Sequence, residues 1–454
     1  MSSVFKIYSP EDCDFYYDGE LQGHIEGNSK KAFRFEVERK GVYRLEFINS
    51  EYQTELMLKV SIDAEEEREV ELDFSEVNEP VIREREERII NAIEHDERLP
   101  EEIISAISKN EIVTIPKGAR KIGYGAFRDR SSLISITIPD TVTKIGWRAF
   151  QGCSNLKTIT IPDGVTEIGH GTFGECRSLT SVTIPDSVMK IGDWAFYNCS
   201  RLTSIIIPNS VTMIGALAFE GCSNLISITI PDSITKIERE AFARCSSLNS
   251  ITIPNSVTEI EDYTFCYCGS LKSITIPDTV TKIGLRTFEG CSSLTAFYGK
   301  YASYDSRCLI KDGILLAFAS YDITKYTILN SVTEIEYYAF AGCNSLKSIT
   351  IPNSVKTIGQ NAFEGCSSLT SIFIPDSVTL IGWSAFRGCK SLTSVYCKAT
   401  TPPKVGCCSF IDHKSDLKIF VPKSDGSTVL EAYKSAESWK DYADSIEEYD
   451  FDNE

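Results

Sequence analysis

The chain has 454 residues, 42% of them hydrophobic and 24% charged, a composition that supports a large folded core and argues against disorder. Its net charge is −18, and residues 1–110 hold 28 Asp and Glu against 14 Lys and Arg, so the acidity belongs to the front segment. A pI near 4.9 gives no general attraction to phosphate backbones or anionic lipid, which sets nucleic acid and membrane surfaces aside as partners.

The opening MSSVFKIYSPEDCDFYY lacks the basic stretch and apolar run of a secretory signal, and no window reaches the ~18 apolar residues of a membrane span. A chain without membrane insertion that acts where it is made, in the cytoplasm, is the expectation. Residues 1–76 alternate in short runs, VFKIYS, AFRFEVE, VYRLEFI and TELMLKVSI, joined by turn signals such as Asp18-Gly19, which predicts a small all-β sandwich. FYYDGELQG and GVYRLEFINSEYQTEL resemble the PEGA-type domain, and that resemblance implies no chemistry. Over residues 77–110, Ile89, Ile90 and Ile93, then Ile103, Ile104 and Ile107, predict two short amphipathic helices broken near Pro100 that cover the open end of the core beginning at residue 111.

From residue 111 the chain repeats. Prolines stand at 116, 139, 162, 185, 208, 231, 254 and 277, then at 352 and 375, 23 residues apart within each run, and Leu329 takes the equivalent place before Pro352. An atypical unit at about 297–328 interrupts the series. Each unit carries LxxIxIP, as in Leu179, Val182 and Ile184, which fits one short strand ended by its proline. A second apolar line, Val188, Ile191, Ala195 and Phe196, comes next at roughly helical spacing. One unit buries about six apolar side chains, on the order of 10 to 15 kcal/mol, against roughly 20 to 40 kcal/mol to order its backbone. Single units therefore cannot fold alone, and the expected architecture is an α/β repeat solenoid over 111–396 with a parallel strand ladder. Residues 397–454, with Leu430, Tyr433, Trp439 and Tyr442 on a helix, are expected to cap its far end.

The unit SLTSxTIPDSVxKIGxxAFxxC resembles the BspA-type leucine-rich repeat, and the atypical unit and tail resemble segments recurrent in that family. The resemblance implies a curved solenoid with strands on its concave side, and proteins commonly displayed on cell surfaces that bind host matrix or other cells. One departure is visible: the family's usual ladder-forming Asn is Ser187, Ser210 or Thr279 here, or Gly164.

Cysteine recurs once per unit, at 153, 176, 199, 222, 245, 268, 291, 343, 366 and 389. Equivalent residues on neighbouring coils stand about 4.8 Å apart, a poor fit to disulfide geometry, so buried free thiols are expected. The four histidines, His24, His95, His170 and His413, have no nucleophile at a spacing that makes a catalytic pair. Cys397, Cys407, Cys408 and His413 fit no zinc signature, so neither an enzyme nor a metal or other cofactor is predicted.

Two surfaces remain. Outward strand positions form monotonous columns, Thr158, Ser181, Ser204, Ser227, Ser250 and Ser273 beside Thr160, Thr183, Ile206, Thr229, Thr252 and Thr275. The other surface lies just past the glycine of KIG, where the residues vary while their surroundings do not: Tyr124, Trp147 and Arg148, His170, Trp194 and Tyr197, Tyr263 and Tyr267, Tyr337 and Tyr338, Trp383 and Arg387. Aromatics and Arg are what interface hot spots favour. Trp147, Arg148, Trp194, Tyr197, Tyr263, Tyr267, Tyr337, Tyr338, Trp383 and Arg387 are thus the predicted partner-binding stripe of a monomeric adhesion or interaction protein with a protein or glycan ligand. An intracellular scaffold or sensor is the alternative.

Overall fold

This computed structural model describes residues 112–412 and 416–451, most of 75–104, residues 108–109, and seven strands within residues 3–71 by their backbone. The chain divides into two units, Met1–Ala92 and Ile93–Glu454. In the first, Phe33–Val37, Ser3–Tyr8 and Glu67–Glu71 form one sheet, and Glu20–Ile25, Cys13–Tyr17, Gly41–Asn49 and Glu55–Ile62 form another. The side chains of these strands lie outside the described residues. A helix, α1, spans Ser75–Glu94.

In the second unit most coils make two strands. The first is the expected one, with the pattern outward, inward, outward: Ser181 and Thr183 are exposed and Val182 is buried. It pairs in parallel with its neighbour 23 residues away, Thr158↔Ser181 to Thr160↔Thr183. The proline then opens a turn, since its carbonyl accepts the Val188 N–H in Pro185-Asp-Ser-Val188 at 3.1 Å. Leu329 does the same for Val332 at 3.0 Å, which is why leucine can stand there.

The second apolar line is not helical. Lys190–Ile191 is a two-residue strand in its own parallel ladder, and Gly192–Cys199 is a run of turns. Along this run alternate N–H groups reach the next coil, Trp194 to Ala216 O at 3.0 Å, Phe196 to Ala218 O at 2.8 Å and Asn198 to Glu220 O at 2.7 Å. Those between them close turns, Ala195 to Gly192 O at 3.3 Å and Tyr197 to Trp194 O at 3.1 Å. This alternation needs a left-handed residue at two places, with φ of 61° at Trp194 and 54° at Asn198. Backbone groups thus bond between coils instead of along a helix, and the α/β label is corrected: among the described residues the coils are a β-solenoid without α-helix.

The core is a set of columns. Phe127, Phe150, Phe173, Phe196, Phe219, Phe242, Phe265 and Phe288 stack at centroid spacings from 5.3 to 5.9 Å. The cysteine column is free and buried, and each thiol except that of Cys343, which follows the atypical unit, donates to the phenylalanine carbonyl 26 residues earlier, as Cys222 does to Phe196 O at 3.2 Å. Burial pushes the Cys153 thiol up to about 12, so it stays protonated at neutral pH. Ser and Thr fill the place of the family's Asn: Ser187, Ser210 and Ser377 donate to Val165 O, Val188 O and Val355 O, each at 2.7 Å, and Thr279 to Val257 O at 2.9 Å.

The atypical unit folds as an antiparallel hairpin, Cys308–Lys311 with Ile314–Phe318, and the latter strand joins the second ladder beside Glu334–Ile335. The first ladder does not stop at residue 396 but runs on through Lys418–Pro422 and Ile446–Tyr449. At the front end, Ile93, Leu99, Ile103 and Ile104 are buried, and the first coil is sealed by Gly123 N–H donating to Ile93 O (2.7 Å) and Leu99 N–H to Ala126 O (2.9 Å). At the far end a helix, α2 (Thr428–Ser435), and a 3₁₀ helix (Glu437–Ser445) replace the single helix expected. Their Tyr433 and Trp439 are wholly buried and donate to Ala399 O and Pro403 O at 2.9 and 2.7 Å. Among the described residues no helix is long and apolar enough to cross a membrane.

Candidate functional site

The turns after KIG place the variable residues of successive coils side by side, and the stripe resolves into three stretches. In the first, the Trp147 indole is 56% exposed and lies over the next coil at Gly169, where a Cβ would come within 2.3 Å of Trp147 Cδ1. His170 stands 6.2 Å from it, Trp194 a further 6.4 Å along, and Tyr197 closes on Trp194 at 4.7 Å. The Trp147 ring also walls an open cleft of about 340 Å³ with Tyr124, Thr143, Lys144, Thr166 and Glu167. Arg148 is half-buried in the left-handed region (φ 57°), its N–H bonded to His170 O at 2.9 Å.

The second stretch is occupied with itself. Arg286 lies over Tyr338 at 3.7 Å and over Tyr263 at 5.0 Å, and Arg239 lies 5.3 Å from the Tyr263 centroid. Arg286 also pairs with Glu289 (Nη2 to Oε1 at 2.8 Å), whose same oxygen accepts from Tyr267 Oη at 3.1 Å, and Arg244 covers the Tyr267 ring at 5.2 Å. Burial and the Glu289 carboxylate push the Tyr267 phenol up, so it stays the donor. Tyr263, Tyr267 and Tyr338 are therefore tied into a cation–π ladder. The variation between units singles out those tyrosines but not Arg239, Arg244, Arg286 and Glu289. Tyr338 meets Arg286 because the hairpin contributes no residue to this column.

In the third stretch Tyr337 is 43% exposed and Trp383 63% exposed, each lying over the glycine of the next coil, Gly359 and Gly406. Arg387 makes an exposed ion pair with Asp412 at 3.5 Å.

The cap cysteines are not drawn together: Cys397 is buried, Cys407 and Cys408 are exposed, and His413 lies outside the described residues. Among the described residues no group of three His, Cys, Asp or Glu side chains could hold a metal ion. The strand face differs from the monotonous columns expected. Its C-terminal coils replace Thr with Phe373, Tyr396 and Phe420, three rings in register that lie beyond the Ser and Thr columns ending at Thr275.

The family model for the BspA type leucine rich repeat region matches residues 99–226, 166–295 and 316–424. No curated protein matches the chain. Among solved structures, a leucine-rich repeat protein from Bacteroides ovatus is 30% identical over 69% of this chain and 92% of its own, with a TM-score of 0.43. A leucine rich cell surface protein from Faecalibacterium prausnitzii is 30% identical over 70% of this chain and 89% of its own, with a TM-score of 0.51. The leucine rich repeat protein of T. pallidum is 29% identical over 41% of this chain and 79% of its own, with a TM-score of 0.34. With its 23-residue coils, two parallel ladders and repeat signature matched over most of its length, the chain belongs to the BspA-type leucine-rich repeat family.

Proposed function

We propose that the protein is a non-enzymatic interaction protein that captures a protein partner through the first stretch of its stripe, Trp147, His170, Trp194 and Tyr197. The observation that carries this reading is a contrast. The middle stretch meets its aromatics with arginines of its own, whereas Trp147 presents more than half of its surface to solvent and, among the described residues, has an imidazole and no cation against its ring. Large exposed rings in a row, with cationic and carboxylate groups around an adjoining cleft, have the composition of an interface core with a polar rim. The F. prausnitzii relative, described as a cell surface protein, supports display outside the cell, where adhesion is the role proposed. The first 76 residues would then be an accessory module.

The test is binding of the full chain to a panel of immobilised matrix glycoproteins, with and without Trp147→Ala and Trp194→Ala together. Affinity for any protein bound by the parent falls at least tenfold, about 1.4 kcal/mol, while circular dichroism stays unchanged. Intact affinity with a collapsed melting transition would make the rings structural cladding. Protease shaving of intact cells separates surface display, in which the chain is cut, from the intracellular scaffold, in which it is spared.

A further inference from the structure

The three rings on the strand face form a stack with one closed end and one open end. Phe373 and Tyr396 lie 4.4 Å apart with planes 7° from parallel, and Tyr396 and Phe420 lie 4.9 Å apart at 19°. Beyond Phe420 the stack is closed by Tyr449, 5.5 Å away and tilted 57°. On the other side the register passes from Phe373 to Thr350, a small residue with no ring to continue the column. The free face of Phe373 therefore walls an open cleft of about 410 Å³, lined also by Thr350, Pro352, Asn353, Pro375 and Lys398, within the ~300–1,000 Å³ range of small-ligand sites.

The polar side-chain groups of this cleft have no hydrogen-bond or ion-pair partner among the described residues. The Thr350 and Asn353 side chains are exposed and make no hydrogen bond to another described residue. The Lys398 ammonium stands 5.8 Å from the Phe373 centroid and 5.6 Å from that of Phe451, and no carboxylate among the described residues pairs with it. An aromatic face takes the C–H face of a ring, a hydroxyl and an amide beside it exchange hydrogen bonds with ring hydroxyls, and a lone ammonium attracts an anion. We infer that this cleft is a subsite for an acidic pyranoside, whose ring continues the stack on Phe373, whose hydroxyls meet Thr350 and Asn353, and whose carboxylate meets Lys398. The site is separate from the stripe and does not depend on the stripe's role.

The experiment titrates the full chain with trigalacturonate and with its fully methyl-esterified, neutral form, read by calorimetry and by saturation-transfer NMR. Trigalacturonate is expected to saturate one site, at least tenfold more tightly than the ester. Lys398→Gln removes most of that difference. Phe373→Thr, which restores the residue of the preceding coils and so preserves folding, abolishes binding, while Trp147→Ala leaves it unchanged. Absence of trigalacturonate binding, equal affinity for the ester, unchanged binding in Phe373→Thr, or selective saturation by N-acetyltyrosine amide in place of the sugar would each overturn the assignment.

Discussion

One rung of the hydroxyl ladder is missing, and supplying it tests what holds the coils together. Ser187, Ser210 and Ser377 each donate to a buried valine carbonyl one coil earlier at 2.7 Å, but the equivalent residue after Pro162 is Gly164, and the Val142 carbonyl receives no such bond. A Cβ built on Gly164 would stand 3.4 Å from Val142 O and 3.1 Å from the exposed Thr143 Cγ2, so a serine fits if that methyl yields by a few tenths of an ångström. Gly164 is not among the residues with positive φ, so a side chain introduces no backbone strain. Replacing glycine at a compatible position stabilises by about 0.4–1 kcal/mol through the unfolded chain. The hydrogen bond adds roughly 0.5–1.5 kcal/mol. Gly164→Ala should therefore gain the first part alone and Gly164→Ser both, about 1–2 kcal/mol in total, read as a higher urea midpoint at unchanged slope. If serine proves no better than alanine, the ladder holds no coil to its neighbour, and the 2.7 Å contacts elsewhere are incidental.

The core supplies two more tests. In a Cys13→Ser background and native buffer, a thiol reagent should modify Cys407 and Cys408 and spare the thirteen buried cysteines until denaturant is added; mass spectrometry showing modified column cysteines, or disulfides between coils, would contradict the buried thiol column. Leu225 is wholly buried at the middle of the array, and Leu225→Asp, which removes its packing and buries an unpaired carboxylate, should cost more than ~5 kcal/mol and abolish amide-exchange protection over several neighbouring coils; an unchanged melting curve would sink the shared-core account.

Most of the coil was legible in sequence because packing repeats and so prints itself: Leu179, Val182 and Ile184 point inward, Cys199 is buried, and the proline ends its strand, all at a fixed interval. The run Val188–Phe196 misled because four apolar positions in nine residues suit a helix as well as turns. What decides between them is that Trp194, Phe196 and Asn198 have carbonyls of the next coil to bond, a fact about neighbours that one unit does not contain. The substitution of Ser and Thr for the family's Asn was visible as a departure, yet its meaning needed the carbonyl 22 residues back. Likewise Arg286 and Tyr338 are 52 positions apart and meet at 3.7 Å only because the intervening hairpin joins one ladder and leaves the stripe uninterrupted.

The left-handed positions give the stripe its physical argument. Every coil requires two of them, and glycine fills the first at Gly125 and Gly171 and the second at Gly152, Gly221 and Gly290, where it holds φ between 60° and 76° without strain. Trp194, Tyr263, Arg286 and Tyr338 hold the same conformation, with φ from 55° to 62°, and bulky side chains there cost of order 1–3 kcal/mol each. Fold alone would favour glycine throughout, yet most coils place another residue at the first position, Leu217, Glu240 and Asn361 among them. For Tyr263, Arg286 and Tyr338 an offset is visible in the cation–π ladder they form with one another. For Trp194 the partners are His170 and Tyr197, tilted rings at 6.4 and 4.7 Å, and the indole stays 37% exposed. Of these four, Trp194 is the one whose ring has no cation over it among the described residues, and it lies in the same stretch as the exposed Trp147, where the proposed partner would add contacts.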